Sequence, residues 1–261
     1  MITEKAYAEH HVFEQLAKYS QFYDDLAGSI IQFVSMGTGS VLNIDTYVFS
    51  SMQGTLESIR EILLRGRIND AYTLLRKYYD AAIINIYTNL YLDDHFSIEN
   101  FVVEKIDNWL NGKEQLPDIR GMNNYIQKSE KVFPIYRLLH QDKRYSEWRD
   151  RCNDHTHYNF YYNVLLNNHQ MFSEKKIAIL NRFAKDLENI YILHLSYLFY
   201  IKDHYMMASD YIDCLDCGIT PEPDSQYWVA PFVQEIFDTI IKKNRMDLAL
   251  EIKSKTAMQL A

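Results

Sequence analysis

Apolar residues recur along much of the chain at the three- and four-residue spacing of an α-helix. After Asn69 and Asp70, which suit a helix start, this spacing continues for about five turns through Ala71, Leu74, Leu75, Tyr78, Ala82, Ile86 and Leu90. A second stripe lies between Ser173 and about His204 and consists of Leu187, Ile190, Tyr191, His194, Leu198 and Ile201. The pattern therefore predicts two long helices.

Turn-forming residues divide the rest of the chain into further predicted helices. Gly37, Gly66 and Gly112 supply stops, because glycine ends a helix readily. The predicted helices cover 3–35, Asn43 or Asp45 to Arg65, 99–110, short pieces within 113–146, and about 231–243 and 246–258.

The composition agrees with a helical protein, since 261 residues contain only 8 Gly and 5 Pro. A chain rich in strands and tight turns needs more of both. The predicted fold class is all-α, a bundle of about seven to nine helices. Residues 1–204 are expected to form the bundle, and residues 205–261 a C-terminal loop and helix pair packed on it.

Charge and cysteine content limit the possible functions. The formal net charge is −8, which argues against a general nucleic-acid binder and against DNA, although a local basic pocket stays possible. Three cysteines are too few for a disulfide framework and favour a cytoplasmic location. The most apolar run, 190–201, is shorter than the roughly 20 residues of a membrane span, so no membrane contact is expected.

Candidate chemistry is concentrated in residues 145–169. The pattern predicts a helix that ends near Arg151, a turn through Asn153 and Asp154, and a new helix from Thr156 or His157. This break matters because six positions on an unbroken helix correspond to about 600° of rotation, which separates two side chains widely. The polar residues concerned are Arg149, Asp150, Arg151, Asn153, Asp154, His155 and His157.

Arginine and histidine together can cleave a phosphodiester without a metal. Arginine offers a permanent cationic fork to phosphate oxygens, and histidine accepts or donates a proton near neutral pH. The same residues also suit an ordinary polar helix junction with Arg–Asp pairs and Asn caps. Residue types alone leave both interpretations open.

The spacing resembles a motif of the HEPN superfamily, in which four to six residues separate an Arg from a His. Arg149 with His155 and Arg151 with His157 both have five intervening residues. The run N-D-H-T-H-Y-N over 153–159 is similar to the N-D-x-x-H-x-N run of several HEPN-like proteins, which favours Arg151 with His157. Residues 71–80 resemble an Arg-bearing helix found early in such bundles, so the resemblance covers about 43–204.

The resemblance implies a metal-independent endoribonuclease with an RNA substrate, often a toxin or an antiphage defence effector. Members of the superfamily usually form a homodimer in which two copies of the motif line one cleft. No cofactor is implied, and a protein partner such as an antitoxin is a further expectation.

The resemblance also implies roles for individual residues. Arg151 stabilises the phosphorane with Arg149 as a second clamp, and His157 acts as general acid and base. His155 is also a catalytic candidate, which shares or orients that role. The supporting residues are Asp150 in the polar second place, and Asn153 or Asp154, which hold the junction in shape.

Two other function classes fit the same sequence. One is a non-catalytic helical module for protein–protein interaction or regulation, in which residues 210–231 dock a partner. The other is a metal-dependent hydrolase that uses Asp154, His155 and His157. Cys214 and Cys217 have ligand spacing but form a single pair, whereas a structural zinc needs four ligands, so no metal is expected.

Overall fold

The computed structural model describes residues 5–31, 37–168, 174–207, 214, 217–220 and 229–261, and in these parts the chain is helical without β-strands. Two isolated bridges, Ser97–Asn100 and Met207–Val229, are the only extended pairings found there. The all-α prediction is confirmed. The helices are α1 Lys5–Ala8, α2 Val12–Ile30, α3 Ile44–Leu64, α4 Ile68–His95, α5 Glu104–Leu110, α6 Ile119–Lys128, α7 Phe133–Leu139, α8 Arg144–His157, α9 Tyr161–Leu166, α10 Glu174–Ile201, α11 Pro231–Ile236 and α12 Met246–Lys255.

Contacts within the chain define two compact units. The first takes the residues up to Asn85 together with Asp142–Tyr191, and the second takes Ile86–Gln141 together with Ile192–Ala261. The N-terminal part of α4, up to Asn85, and of α10, up to Tyr191, thus belongs to the first unit, and the remaining part of each belongs to the second unit. All the predicted site residues lie in the first unit.

The core of the first unit is rich in tyrosine. The ring of Tyr19 stacks on that of Tyr191 with centroids 3.7 Å apart, and the hydroxyls of Tyr23 and Tyr78 are hydrogen-bonded at 2.9 Å. All four rings are buried. Burying a tyrosine ring is favourable when its hydroxyl forms a hydrogen bond. The hydrogen bond between Tyr23 and Tyr78 therefore allows both rings to be buried in this core.

Ionic contacts connect the helices of the second unit. Asp93 of α4 accepts hydrogen bonds from Lys131 and, at 3.0 Å, from Lys202. The buried guanidinium of Arg245 donates to the carbonyl of Leu138 and pairs with Asp247 at 2.7 Å. After α11 the chain continues as a π-helix over Phe237–Lys242 before α12 begins.

Most predicted helices are confirmed to within a few residues. Gly66 and Gly112, with φ of +75° and +68°, follow the ends of α3 and α5 as the sequence predicts. The described residues contain more helices than the seven to nine expected, because short helices such as Tyr161–Leu166 stand between the long ones.

The predicted single helix over 3–35 is wrong where it crosses residues 9–11. The chain leaves α1 at Ala8 and begins α2 at Val12. The backbone N–H of Val12 donates to Nδ1 of His10 at 3.2 Å, and Nε2 of the same ring lies 3.0 Å from Oδ1 of Asn181. The imidazole thus accepts from the first N–H of α2 and ties this break to Asn181, which a pattern of apolar spacing does not reveal.

The predicted turn through Asn153 and Asp154 is also wrong, because α8 is one unbroken helix over Arg144–His157. Its buried side chains are spaced three or four residues apart, so a continuous apolar face keeps the segment helical: Tyr145, Trp148, Cys152 and His155. The helix ends at Tyr158, which has left-handed backbone angles of φ 50° and ψ 41°.

Some expectations fall on residues that the structure does not describe. Most of the proposed docking segment over 210–231 lies outside the described residues, as do residues 32–35 of the first predicted helix. In the described helices, none is both long and apolar enough to cross a membrane.

Replacing Tyr158 by glycine tests how α8 ends. We expect Tyr158→Gly to raise the free energy of unfolding by about 1 kcal/mol, because a Cβ is unfavourable in the left-handed region. The exposed Val164→Gly within α9 is the control and should lower stability by about as much. Urea unfolding measures both, and a less stable Tyr158→Gly would contradict the explanation.

Candidate functional site

The predicted site residues are distributed over three faces of α8. The row centred on Cys152 and His155 is buried. Arg151 lies on one flank and contacts α10, whereas Asn153 lies on the other flank and contacts α4. His157, the last residue of the helix, is exposed. Because the helix is continuous, the angular positions of these side chains around its axis determine which of them can contact the same substrate.

Arg151 forms a two-pronged ion pair with Asp186 of α10. Its Nε and Nη2 atoms donate to the two carboxylate oxygens at 2.9 and 2.5 Å. The side chain of Asp186 is only 2% exposed, and the hydroxyl of Tyr72 donates to it at 3.4 Å. The hydrogen bond to Asp186 raises the pKa of Arg151. This guanidinium fork is thus already occupied by a carboxylate.

His155 is a buried neutral histidine. Its ring stacks on Tyr72 with centroids 4.1 Å apart and planes within 3°, and Nδ1 lies 2.6 Å from Oδ1 of Asn69. The amide nitrogen of Asn69 donates to the carbonyl of Asn163, so its oxygen accepts and the imidazole carries its proton on Nδ1. Burial lowers the pKa of His155 to about 4. The ring is therefore uncharged at neutral pH.

The two predicted Arg–His pairs do not converge within one chain. Six positions on the unbroken α8 place the side chains about 120° apart around the axis and about 9 Å apart along it. This holds for Arg151 with His157 and for Arg149 with His155. Arg151 and His155, four positions apart, share a face, but both are engaged in the packing just described.

The flank of α8 that contacts α4 carries a second polar arrangement. Nη1 of Arg76 donates to Oδ1 of Asn153 at 2.8 Å, and the hydroxyls of Thr73 and Thr156 are 3.2 Å apart. We call this the α4–α8 strip and define it by Thr73, Arg76 and Asp80 of α4 and Arg149, Asn153, Thr156 and His157 of α8.

Two guanidinium groups of the strip lie near the same carboxylate. Burial raises the pKa of Asp80, and the charges of Arg76 and Arg149 oppose that rise. Arg149 is exposed and Arg76 is half-buried. The strip therefore holds two cations around one carboxylate, with at least one guanidinium open to solvent.

His157 continues the strip along the edge of α8. Arg149, Asn153 and His157 follow one another at four-residue intervals, so successive side chains shift by only about 40° around the helix. Acidic groups lie on the adjoining edge, where Asp150 is exposed and Asp154 accepts a hydrogen bond from Asn159 at 2.8 Å. The edge thus combines arginine, amide and histidine next to carboxylates.

Asparagines hold this part of the unit in register. The backbone N–H of Asn69, near the start of α4, donates to Oδ1 of Asn167 at 3.0 Å, and the Asn167 amide donates to Asp70 at 2.9 Å. Asn163 of α9 donates to the backbone carbonyl of Asp154 at 2.8 Å. The sequence suggested that Asn153 or Asp154 holds this region in shape. Residues outside the motif therefore share that role.

Sequence reasoning missed Arg76 and Asp80 as members of the site. Both lie in the run 71–80 that drew attention for its arginine, and they are four positions apart. Residues four apart are neighbours on a helix surface, and the buried Leu75 and Tyr78 mark the opposite side of that edge. The four-residue spacing could have identified Arg76 and Asp80 as neighbours on one edge of the helix. The contact of Arg76 with Asn153 leaves no such signal in the sequence, because the two residues are 77 positions apart.

In the described residues, no group of three or more His, Cys, Asp and Glu side chains is placed to hold a metal ion. Asp154, His155 and His157 therefore do not form such a group. Cys152 is buried, and burial raises the pKa of its thiol, which keeps it protonated.

Comparison of the chain with protein-family models, with curated proteins and with solved structures finds no match. Functional conclusions therefore depend on the geometry of the α4–α8 strip and on the residue patterns of the sequence.

Removing Arg151 tests whether its role is structural. We expect Arg151→Met to lower the free energy of unfolding by about 3 kcal/mol, because the buried Asp186 loses its partner. The double variant Arg151→Met/Asp186→Leu should recover much of that loss, and the exposed Arg149→Met should change stability little. Urea unfolding checks all three, and equal effects of Arg151→Met and Arg149→Met would contradict the assignment.

The buried His155 makes stability depend on pH. Its pKa is about 4 in the folded protein and about 6.5 in an unfolded chain, so the unfolded state takes up the proton first as the pH falls. Above about pH 6.5 the neutral His155 contributes on the order of 3 kcal/mol to the free energy of unfolding. This contribution is lost as the pH falls from about 6.5 to about 4. Urea unfolding from pH 7.5 to 4.5 should show a shallower decline for His155→Gln than for the wild type. The exposed His157→Gln should keep the wild-type decline, and identical slopes for all three proteins would contradict a buried neutral His155.

Proposed function

We propose that the protein is a metal-independent endoribonuclease of HEPN type whose chemistry lies on the α4–α8 strip. The observation that carries the proposal is the hydrogen bond from Arg76 to Asn153, because Asn153 lies on the same edge of α8 as the exposed Arg149 and His157. The HEPN-like spacing over 149–157 supports the same activity, but it is the strip, and not Arg151 with His155, that offers the groups to a substrate.

The strip holds the groups that such a cleavage needs. The imidazole of His157 takes the proton of a ribose 2′-hydroxyl, whose oxygen attacks the adjacent phosphorus. The bond from phosphorus to the 5′-oxygen breaks, and that oxygen receives a proton from the imidazolium. The products are a 2′,3′-cyclic phosphate and a 5′-hydroxyl. Arg149 and Arg76 stabilise the charge that develops on the phosphoryl oxygens.

A homodimer fits this proposal. One strip offers a single histidine, whereas two strips facing one cleft offer a base and an acid on opposite sides of the phosphate. In-line cleavage uses a proton acceptor and a proton donor at once. In the homodimer the second copy of His157, protonated before the attack, replaces the first as the donor to the leaving oxygen, while the first copy keeps the proton of the 2′-hydroxyl.

A second candidate is a non-catalytic interaction module, and one observation favours it. Arg151 and His155, half of the Arg/His motif, are engaged in buried packing. In this alternative the α4–α8 strip is a polar surface for a protein partner such as an antitoxin.

Cleavage of total RNA by the purified full-length protein in EDTA tests the proposal. Wild type should cleave, and His157→Ala should lose at least about 100-fold in rate, because acid–base catalysis contributes that much. Arg149→Ala should lose activity without losing stability. His95→Ala, an exposed histidine of the second unit, is the matched control and should cleave like the wild type.

Two outcomes would overturn the ribonuclease assignment. One is the absence of cleavage by wild type over a range of RNA substrates, which would favour the interaction module. The other is equal cleavage by wild type and by His157→Ala, which would remove the strip from the chemistry.

A further inference from the structure

Large aromatic side chains are exposed directly after the last residue of the strip. Tyr158 is 45% exposed, Phe160 61% and Tyr161 76%. We call these three residues the aromatic patch. Rings of this size are usually turned inward, and three exposed ones follow His157 within four residues. Exposed aromatic groups clustered in this way indicate a binding site.

The local backbone turns these rings outward. Tyr158 has left-handed angles, and Phe160 is extended, with φ −126° and ψ 138°. Asn163 and Leu166 are the buried residues of α9, so this short helix is held by its other face. The rings are presented by a turn that is anchored on both sides, from Asp154 to Asn163.

A cation lies close to these aromatic residues. The ammonium of Lys175 lies 5.3 Å from the ring centroid of Tyr162, the neighbour of Tyr161. The nearby carboxylates of Asp154 and Asp70 accept hydrogen bonds from Asn159 and Asn167. A lysine therefore lies over the ring of the residue that directly follows the patch in the chain, where it can meet a phosphate.

We infer that the aromatic patch binds unpaired bases of an RNA strand, with Lys175 contacting its backbone. This inference depends on the proposed function, because the patch continues the α4–α8 strip at His157. Aromatic rings bind single strands by stacking on bases. Paired bases already stack on each other, so the patch selects single-stranded segments and positions the phosphodiester next to a splayed base.

Binding and cleavage are measured separately, so that each hypothesis can fail alone. A fluorescein-labelled 12-mer of 2′-O-methyl RNA cannot be cleaved by 2′-hydroxyl attack, and anisotropy with full-length protein reports its binding. Phe160→Ala and Tyr161→Ala should each weaken binding at least about fivefold, because base stacking contributes that much per ring. Tyr161→Phe, which keeps the ring, should bind like the wild type.

Two controls separate stacking from general effects. Phe101→Ala removes an exposed ring of the second unit and should leave affinity unchanged. Lys175→Ala should reduce the slope of log affinity against log salt by roughly 0.7, the value for one phosphate contact with a single strand. A blunt duplex of the same sequence should bind more weakly than the single strand.

The outcomes distinguish failure of the RNA-binding inference from failure of the proposed ribonuclease activity. Weaker binding by Phe160→Ala and Tyr161→Ala, together with intact binding by His157→Ala, supports the inference even if no RNA is cleaved, in which case the proposed function alone fails. Unchanged binding and unchanged KM for cleavage in the two alanine variants overturn it while the ribonuclease stands. Equal affinity for the duplex also overturns it.

Discussion

The carboxylate of Asp186 is the constraint on which the rest of the site depends. It lies almost fully buried on α10, and a buried carboxylate must be paired and hydrogen-bonded to be tolerated. Arg151 supplies the charge from α8, and Tyr72 supplies a hydroxyl from α4. Three helices of the first unit therefore meet at one acidic group. The same tyrosine ring then stacks on His155, so the ion pair and the neutral histidine belong to a single polar cluster in the core.

This cluster determines which residues remain available for chemistry. It occupies Arg151 and His155 and requires α8 to stay helical between them, since both reach their partners only from one face. The helix phase then sends Arg149, Asn153 and His157 to the edge next to α4. Within the motif, Arg151 and His155 thus stabilise the fold, whereas Arg149 and His157 are exposed to solvent.

The sequence predicts the fold class and most helices because local signals determine them. The apolar stripe of α4, the glycines after α3 and α5, and the short helices around Pro117 and Pro134 all follow from spacing and backbone preference. The break expected at Asn153 did not form, because the buried row through Trp148, Cys152 and His155 outweighs the turn preference of two polar residues. Tertiary packing decided that segment.

The site was harder to predict because its partners are distant in the chain. Asp186 lies 35 residues after Arg151, within a helix whose stripe is otherwise apolar, and Arg76 lies 77 residues before Asn153. Periodicity identifies the face on which a residue lies but not the helix that packs against that face. The choice between Arg149 and Arg151, which spacing alone left open, depends on this packing.

The asparagines that connect α4, α8 and α9 have a consequence for conditions under which the protein is handled. Asn69, Asn163 and Asn167 use neutral amides, which neither titrate nor respond strongly to ionic strength. As salt screens the arginines, these amide bonds keep the same donors and acceptors. One partner does respond to acid, because Oδ1 of Asn69 accepts from the buried neutral His155. The amide contacts are therefore insensitive to salt but not to acid. A change in activity with salt can be read as a change in charge rather than in shape, whereas a change below about pH 6.5 also includes the lost contribution of His155 to stability.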